Sequence, residues 1–195
     1  ALEQRPRVFF SPDQHLGRNT AKGMGIPPEQ MLLWDVQHPP AVQATRQAKV
    51  VLWPGCCNVH QRFRPEHVRA VREQYPDIRV IIHPECKMEV MALADDTGST
   101  AHIITQVSGA QPGTRWAIGT ETRLVHRLQR EHPEQYIIPL ADIPPYCRTM
   151  GQTTVQNLAR VLAALKQGEM VNEVVVDAET ARWARVALER MLELG

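Results

Sequence analysis

Cysteine, histidine and carboxylate side chains in this chain fall into short clusters, each carrying a different piece of metal or acid–base chemistry. Cys56-Cys57-Asn58-Val59-His60 sets thiols a few residues before an imidazole. His83-Pro84-Glu85-Cys86 brings an imidazole, a carboxyl group and a thiol together. Gly119-Thr120-Glu121, Gly98-Ser99-Thr100, Pro12-Asp13-Gln14-His15-Leu16-Gly17 and a distant Cys147 complete the set. Thiolates bind soft metals, imidazoles and carboxylates ligate metals or move protons, and a Ser-Thr turn opening a helix presents N–H groups to an anion.

Each cluster also has an ordinary reading. Cys57 alone reads as a small buried hydrophobe, and His60 or His83 alone as a hydrogen-bonded structural histidine. Glu121 reads as an acidic residue complementing a helix dipole. Gly98-Ser99-Thr100 reads equally as an N-cap and as an anion site. The four cysteines include no paired C-x-x-C elements, which rules out a zinc ribbon. Adjacent cysteines rarely chelate one metal, so at most one of Cys56 and Cys57 is a ligand. Ligands of a metal cluster can instead arrive singly, from separate loops that meet in space.

The elements that must position these residues are legible. Apolar runs at Arg7–Ser11, Lys49–Trp53, Arg79–His83, Arg115–Gly119 and Gln135–Leu140 read as strands. Their continuous apolar character fits parallel sheets covered on both faces. Between and after them lie helical patterns. One opens at Pro65 with Val68, Val71 and Tyr75 on a stripe, and others cover Glu121–His132 and Thr153–Lys166, the latter stopped by Gly168. A last helix follows Asp177 as N-cap. The methionines and Trp183 read as core filling. Alternating strand and helix gives an α/β layered fold, with the Pro-rich Asp142–Tyr146 stretch as the expected boundary. The reactive clusters sit just after the apolar runs, where open α/β sheets bind ligands. If the runs ending at Trp53, His83 and Gly119 share one sheet, then His60, His83, Glu85 and Glu121 gather at one edge. The helix opened by Ser99 and Thr100 then points its N-terminus into the same crevice.

Composition narrows the function classes. With 195 residues, 43% hydrophobic and 22% charged, the chain has globular composition. A formal net charge of +1 offers no electrostatic argument for nucleic acid or an anionic membrane. Arg123, Arg127 and Arg130 sit among acidic neighbours and read as a solvated helix face. No apolar run approaches the roughly 20 residues of a membrane helix. The start, Ala-Leu-Glu-Gln-Arg-Pro-Arg, has neither an initiator Met nor a signal-peptide pattern, and suggests a chain that begins mid-protein. The cysteine usage favours a reducing cytoplasm.

Taken in order, these motifs resemble those of the quinolinate synthase family over essentially the whole chain. Phe9–Gly17 is similar to the family's Pro-Asp-x-Asn-Leu-Gly turn, with His15 where many members have Asn. Cys57-Asn58-Val59-His60 resembles its Cys-x-Val-His element, His83-Pro84-Glu85 its His-Pro-Glu motif, and Gly98-Ser99-Thr100 its Gly-Ser-Thr turn. Ile118–Glu121 and Cys147-Arg148-Thr149-Met150, which resembles Cys-x-x-Met, follow in sequence. The resemblance implies three similar α/β/α layers with parallel sheets around a pseudo-threefold axis. Residues 1–54 would then be the second half of the middle domain and 55–147 the third domain. Residues 148–195 would be helices packing on a first domain that is missing here.

The function implied is a cytoplasmic transferase of NAD (pyridine nucleotide) biosynthesis. It condenses iminoaspartate with dihydroxyacetone phosphate to quinolinate, phosphate and water, with a 4Fe–4S cluster as Lewis acid. L-aspartate oxidase or aspartate dehydrogenase would supply the iminoaspartate. By resemblance, Cys57 and Cys147 are two of three cluster ligands, and Glu85, His60 and His83 are the catalytic residues. Those three bind substrate together with Ser99 and Thr100. The family's first cluster cysteine, its N-terminal Tyr and His, and a Tyr-x-Asn element have no counterpart in this sequence, so the chain alone is expected to be inactive. Two alternatives remain open: a non-catalytic fragment binding a dicarboxylate or a partner half, and a mononuclear zinc lyase or hydrolase using His60, His83 and Glu85.

Overall fold

The apolar runs form short parallel strands in two separate sheets. The computed structural model describes residues 2–194 and divides into two compact units, Leu2–Cys147 and Arg148–Gly195. In the first unit, β1 (Val8–Phe10), β2 (Met31–Leu33) and β3 (Val50–Leu52) make one sheet in the order β1-β3-β2. Val50 lies opposite both Val8 and Met31. As the central strand, β3 is buried throughout. The second sheet contains β4 (Arg79–Ile82), β5 (Asp96–Thr97), β6 (Arg115–Gly119) and β7 (Tyr136–Pro139), all parallel in the order β5-β4-β6-β7.

Side chains alternate across the second sheet as the pleat requires. Val80, Ile82, Ala117 and Leu140 join Phe63, Val68 and Val90 in one core. Ile81, Trp116, Ile118 and Ile137 join Ile103, Val107, Val125 and Leu128 in the other. Trp116 is fully buried, and its indole N–H is satisfied by Gln135 Oε1 at 2.9 Å. The helices of this unit are α1 (Gln14–Gly23), α2 (Val42–Gln47), α3 (Pro65–Gln74), α4 (Met88–Met91), α5 (Thr100–Ser108) and α6 (Thr122–Glu131). Helix α1 lies close on the first sheet. A Cβ at Gly17 would come within 2.6 Å of Leu52 Cδ2 and Phe10 Cδ1, so only glycine allows this approach.

The structure differs from the sequence reading in several places. The run ending at Trp53 does not share a sheet with those ending at His83 and Gly119. Apolar pattern marks a strand but carries no information on its partner. Strands β2 and β5 were not expected: β5 is a polar pair that exists because it completes a ladder beside Ile81 and Ile82. The division falls after Cys147, just past the Pro-rich stretch. In the second unit, α7 (Val155–Lys166) is capped by Thr154, whose side chain accepts from Asn157 N, and Gly168 follows it with φ of 80°. Asp177 accepts from Thr180 N at the start of α8 (Ala178–Leu194). The apolar residues of these helices do not fill a core, since Val155, Leu158, Leu162, Trp183, Leu188 and Met191 are exposed. Helical spacing identifies an apolar face, and burial needs an element covering it. Among the described residues, no helix is long and apolar enough to cross a membrane.

Candidate functional site

Strand register decides which loops meet. Ile82 pairs with both Gly119 and Thr97, so His83, Thr120 and Gly98 leave the second sheet side by side. His83 N donates to Gly119 O at 3.1 Å, and Gly98 N donates to Ile82 O at 3.1 Å. Ser99 then caps α5 by accepting from His102 N at 3.3 Å, which places Ser99 and Thr100 at the same sheet edge as His83. Asp96 Oδ2 holds the His102 ring at 2.9 Å.

The loop after β3 supplies the remaining groups. His60 is buried there, with Nδ1 2.8 Å from Glu85 Oε2 and Nε2 3.1 Å from Thr120 Oγ1. Its ring stacks on His83, with centroids 4.2 Å apart and planes 10° from parallel. His83 Nδ1 lies 3.7 Å from the same Glu85 oxygen. Cys57, His60 and Glu85 each offer a ligand atom, all within 4.8 Å of one another. Cys57, His60, His83 and Glu85 therefore converge from two loops. Cys56 is exposed and its thiol meets Gln61 Oε1, while Cys86 is fully buried with its sulfur 3.9 Å from Gly119 O.

Burial controls the protonation of the cluster. It pulls the His60 pKa from 6.5 down to about 4, against the opposing charges of Asp13 and Glu121. The His60–Glu85 contact is therefore a hydrogen bond from a neutral ring at pH 7 rather than an ion pair. With Glu85 as carboxylate, Nδ1 carries the proton and Nε2 accepts from Thr120. Burial, then the neighbouring His60, also lowers the His83 pKa, with Glu85 and Asp13 opposing. Burial raises the Cys57 thiol pKa, offset by the N–H groups of His60 and Val59 and reinforced by Glu85. It raises that of Cys86 much further.

Two carboxylates hold the two cysteine loops by the same device. Asp13 is 4% exposed. Its Oδ1 caps α1, accepting from His15 N and Leu16 N at 2.8 Å each, and its Oδ2 accepts from Cys57 N at 2.7 Å. Glu121 is also buried. Its Oε2 caps α6 through Arg123 N at 2.8 Å, and its Oε1 accepts from Cys147 N at 3.3 Å. One acid per loop thus caps the start of a helix and fixes the backbone of a cysteine. Asn19, on α1, donates to both Pro84 O and Cys86 O at 2.8 Å and ties down the turn that carries Glu85.

In the sequence Asp13 and Thr120 stand out only as members of their motifs, Glu121 also as a helix-start acid expected at the sheet edge, and Asn19 belongs to no motif. The helix-start position of the two acids was a readable signal for a cap. Their second hydrogen bond spans 44 and 26 residues respectively, and no local pattern announces it.

Comparison with known proteins agrees over the full chain. Residues 1–193 match the family model described as quinolinate synthetase A protein. The quinolinate synthase of Listeria monocytogenes serovar 1/2a is 45% identical over 197 residues, covering 100% of this chain and 54% of that protein. That of Rhodopirellula baltica is 47% identical over 199 residues, covering 98% and 50%. That of Acidobacterium capsulatum is 47% identical over 199 residues, covering 100% and 53%. The chain spans about half the length of the curated relatives it matches.

Proposed function

This chain belongs to the quinolinate synthetase A protein family, and on that premise we propose that it forms part of a quinolinate synthase active site. The reaction proposed is condensation of iminoaspartate with dihydroxyacetone phosphate to quinolinate, phosphate and water. An L-aspartate oxidase or aspartate dehydrogenase would supply the unstable imine. The observation that carries this reading is the convergence of Cys57, His60 and Glu85 within ligand reach of one another, beside His83.

A 4Fe–4S cluster suits the donor set. Cys57 and Cys147 are both only partly buried, and each backbone is held by a carboxylate. The loops are linked by contact: Glu121 holds Cys147, and the adjacent Thr120 meets His60, which meets Glu85. When bound, the cluster supplies a Lewis-acidic iron to substrate oxygen or nitrogen. Glu85 Oε2 and His60 Nδ1 already share a proton at 2.8 Å, so this pair is assigned the proton transfers, with His83 as the neighbouring imidazole. Thr120 fixes the His60 ring. Ser99 and Thr100 open α5 at the same edge, where N–H groups favour the carboxylates and phosphate of the substrates.

The test is anaerobic expression of this chain together with the segment that its relatives carry beyond the matched region. Quinolinate formation is the expected outcome. Cys57→Ser abolishes activity and lowers bound iron and acid-labile sulfide, whereas Cys56→Ser leaves both near wild type. The reverse order of the two variants rejects the assignment of Cys57 as the ligand.

A further inference from the structure

We infer that Cys57, His60 and Glu85 form a site for a single thiophilic divalent cation of the Zn²⁺ type, occupied when no cluster is present. This does not rest on the proposed reaction. Glu85 is the centre of the site. Its carboxylate accepts a hydrogen bond from His60 Nδ1 at 2.8 Å, and the Cys57 sulfur lies within 4.8 Å of both. A buried imidazole, a half-buried carboxylate and a half-buried thiol thus converge on one point. A divalent cation replaces that arrangement with one centre.

The rearrangement balances. The Cys57 proton leaves to solvent and the thiolate binds the ion. The His60 proton moves from Nδ1 to Nε2, freeing Nδ1 as ligand. The Thr120 hydroxyl, 3.1 Å from Nε2, turns from donor to acceptor. Thiolate and carboxylate then neutralise the two positive charges of the ion in a poorly solvated pocket. A ligating histidine whose other nitrogen donates to a protein oxygen is the usual support for a bound metal, and Thr120 is in position for it. The mixed sulfur, nitrogen and oxygen donors select zinc or cobalt over magnesium or calcium. Three protein ligands leave one coordination position open, as in catalytic rather than structural zinc sites. Asp13 holds the Cys57 backbone at 2.7 Å, and Asn19 holds the Glu85 turn at 2.8 Å, so both loops are fixed beforehand. Because Cys57 serves both occupants, the lone ion and the cluster exclude each other.

The experiment is an anaerobic titration of the metal-free chain with Co²⁺, read by absorption. One equivalent gives a thiolate-to-cobalt charge-transfer band with tetrahedral d–d bands, and Zn²⁺ abolishes both while Mg²⁺ does not. Cys57→Ala removes the charge-transfer band, Glu85→Gln weakens binding by at least about tenfold, and Cys56→Ala changes neither. Far-UV circular dichroism confirms that each variant folds, with Cys57→Ser as the second choice at that position. Absence of the charge-transfer band overturns the proposal. So does a band that survives Cys57→Ala, or cobalt binding that depends on His83 but not on Cys57. These readouts need no turnover, so a failed cobalt site and a failed synthase assignment remain separable.

Discussion

Asp13→Asn isolates one hydrogen bond that joins the Cys57 loop to the start of the first helix. Asp13 serves three N–H groups with two oxygens: Oδ1 takes those of His15 and Leu16, and Oδ2 takes that of Cys57. Asparagine is as good an N-cap as aspartate, so its single oxygen keeps the cap. Its amide nitrogen then faces the Cys57 N–H, donor against donor, where the carboxylate accepted at 2.7 Å. Turning the amide over saves the Cys57 bond but abandons both cap bonds. A hydrogen bond to a charged group contributes roughly 1.5–3 kcal/mol, so the variant should lose about 2 kcal/mol. Asp13→Ala removes the cap as well and should lose about 3 kcal/mol, given the ~1 kcal/mol usual for a lost cap. Urea unfolding followed by far-UV circular dichroism measures both. Metal binding distinguishes a local effect from general softening. Asp13→Asn should weaken binding at Cys57 more than Val125→Ala, a truncation in a buried core adjusted to equal stability loss. An Asp13→Asn protein within about 0.5 kcal/mol of wild type, or one that binds metal as tightly as the Val125 control, refutes the reasoning.

Three further outcomes follow from the same geometry. His60 titrates near 6.5 when unfolded but about 4 when folded. Between those values the unfolded chain binds the extra proton, so its contribution is fully present above pH 6.5 and lost as pH falls towards 4. The slope is at most about 1.4 kcal/mol per pH unit. Denaturation curves across that window should show a shallower slope for His60→Gln, with the residue from His83, which is shifted in the same direction. Gly55→Ala should destabilise by about 1–3 kcal/mol. Its new Cβ would collide with the Pro12 backbone oxygen, and a measured change below a few tenths of a kcal/mol would contradict that packing. Asn19→Leu leaves Pro84 O and Cys86 O without their donor. It should cost about 1–3 kcal/mol and loosen the Glu85 turn, seen as faster amide exchange at Glu85 and Cys86.

The sequence by itself determined the local elements and the inventory of reactive groups. Five apolar runs became strands, Pro65, Thr154 and Asp177 start or cap helices where their side chains suit those positions, and the motifs lie at strand ends. These features depend on neighbours along the chain, through side-chain period, φ preference and capping, so they can be read from the chain. Tertiary structure alone decided the partners. It put β3 in a different sheet from β4 and β6 and built β5 from two polar residues. It also aligned Ile82 with Gly119 and Thr97, so that three loops emerge together. The second hydrogen bond of Asp13, that of Glu121 and the paired bonds of Asn19 belong to the same level. Their physical reason is burial: a polar group removed from water must find a partner wherever the packing places one. That partner is set by which surfaces meet in three dimensions, and no spacing along the chain encodes it.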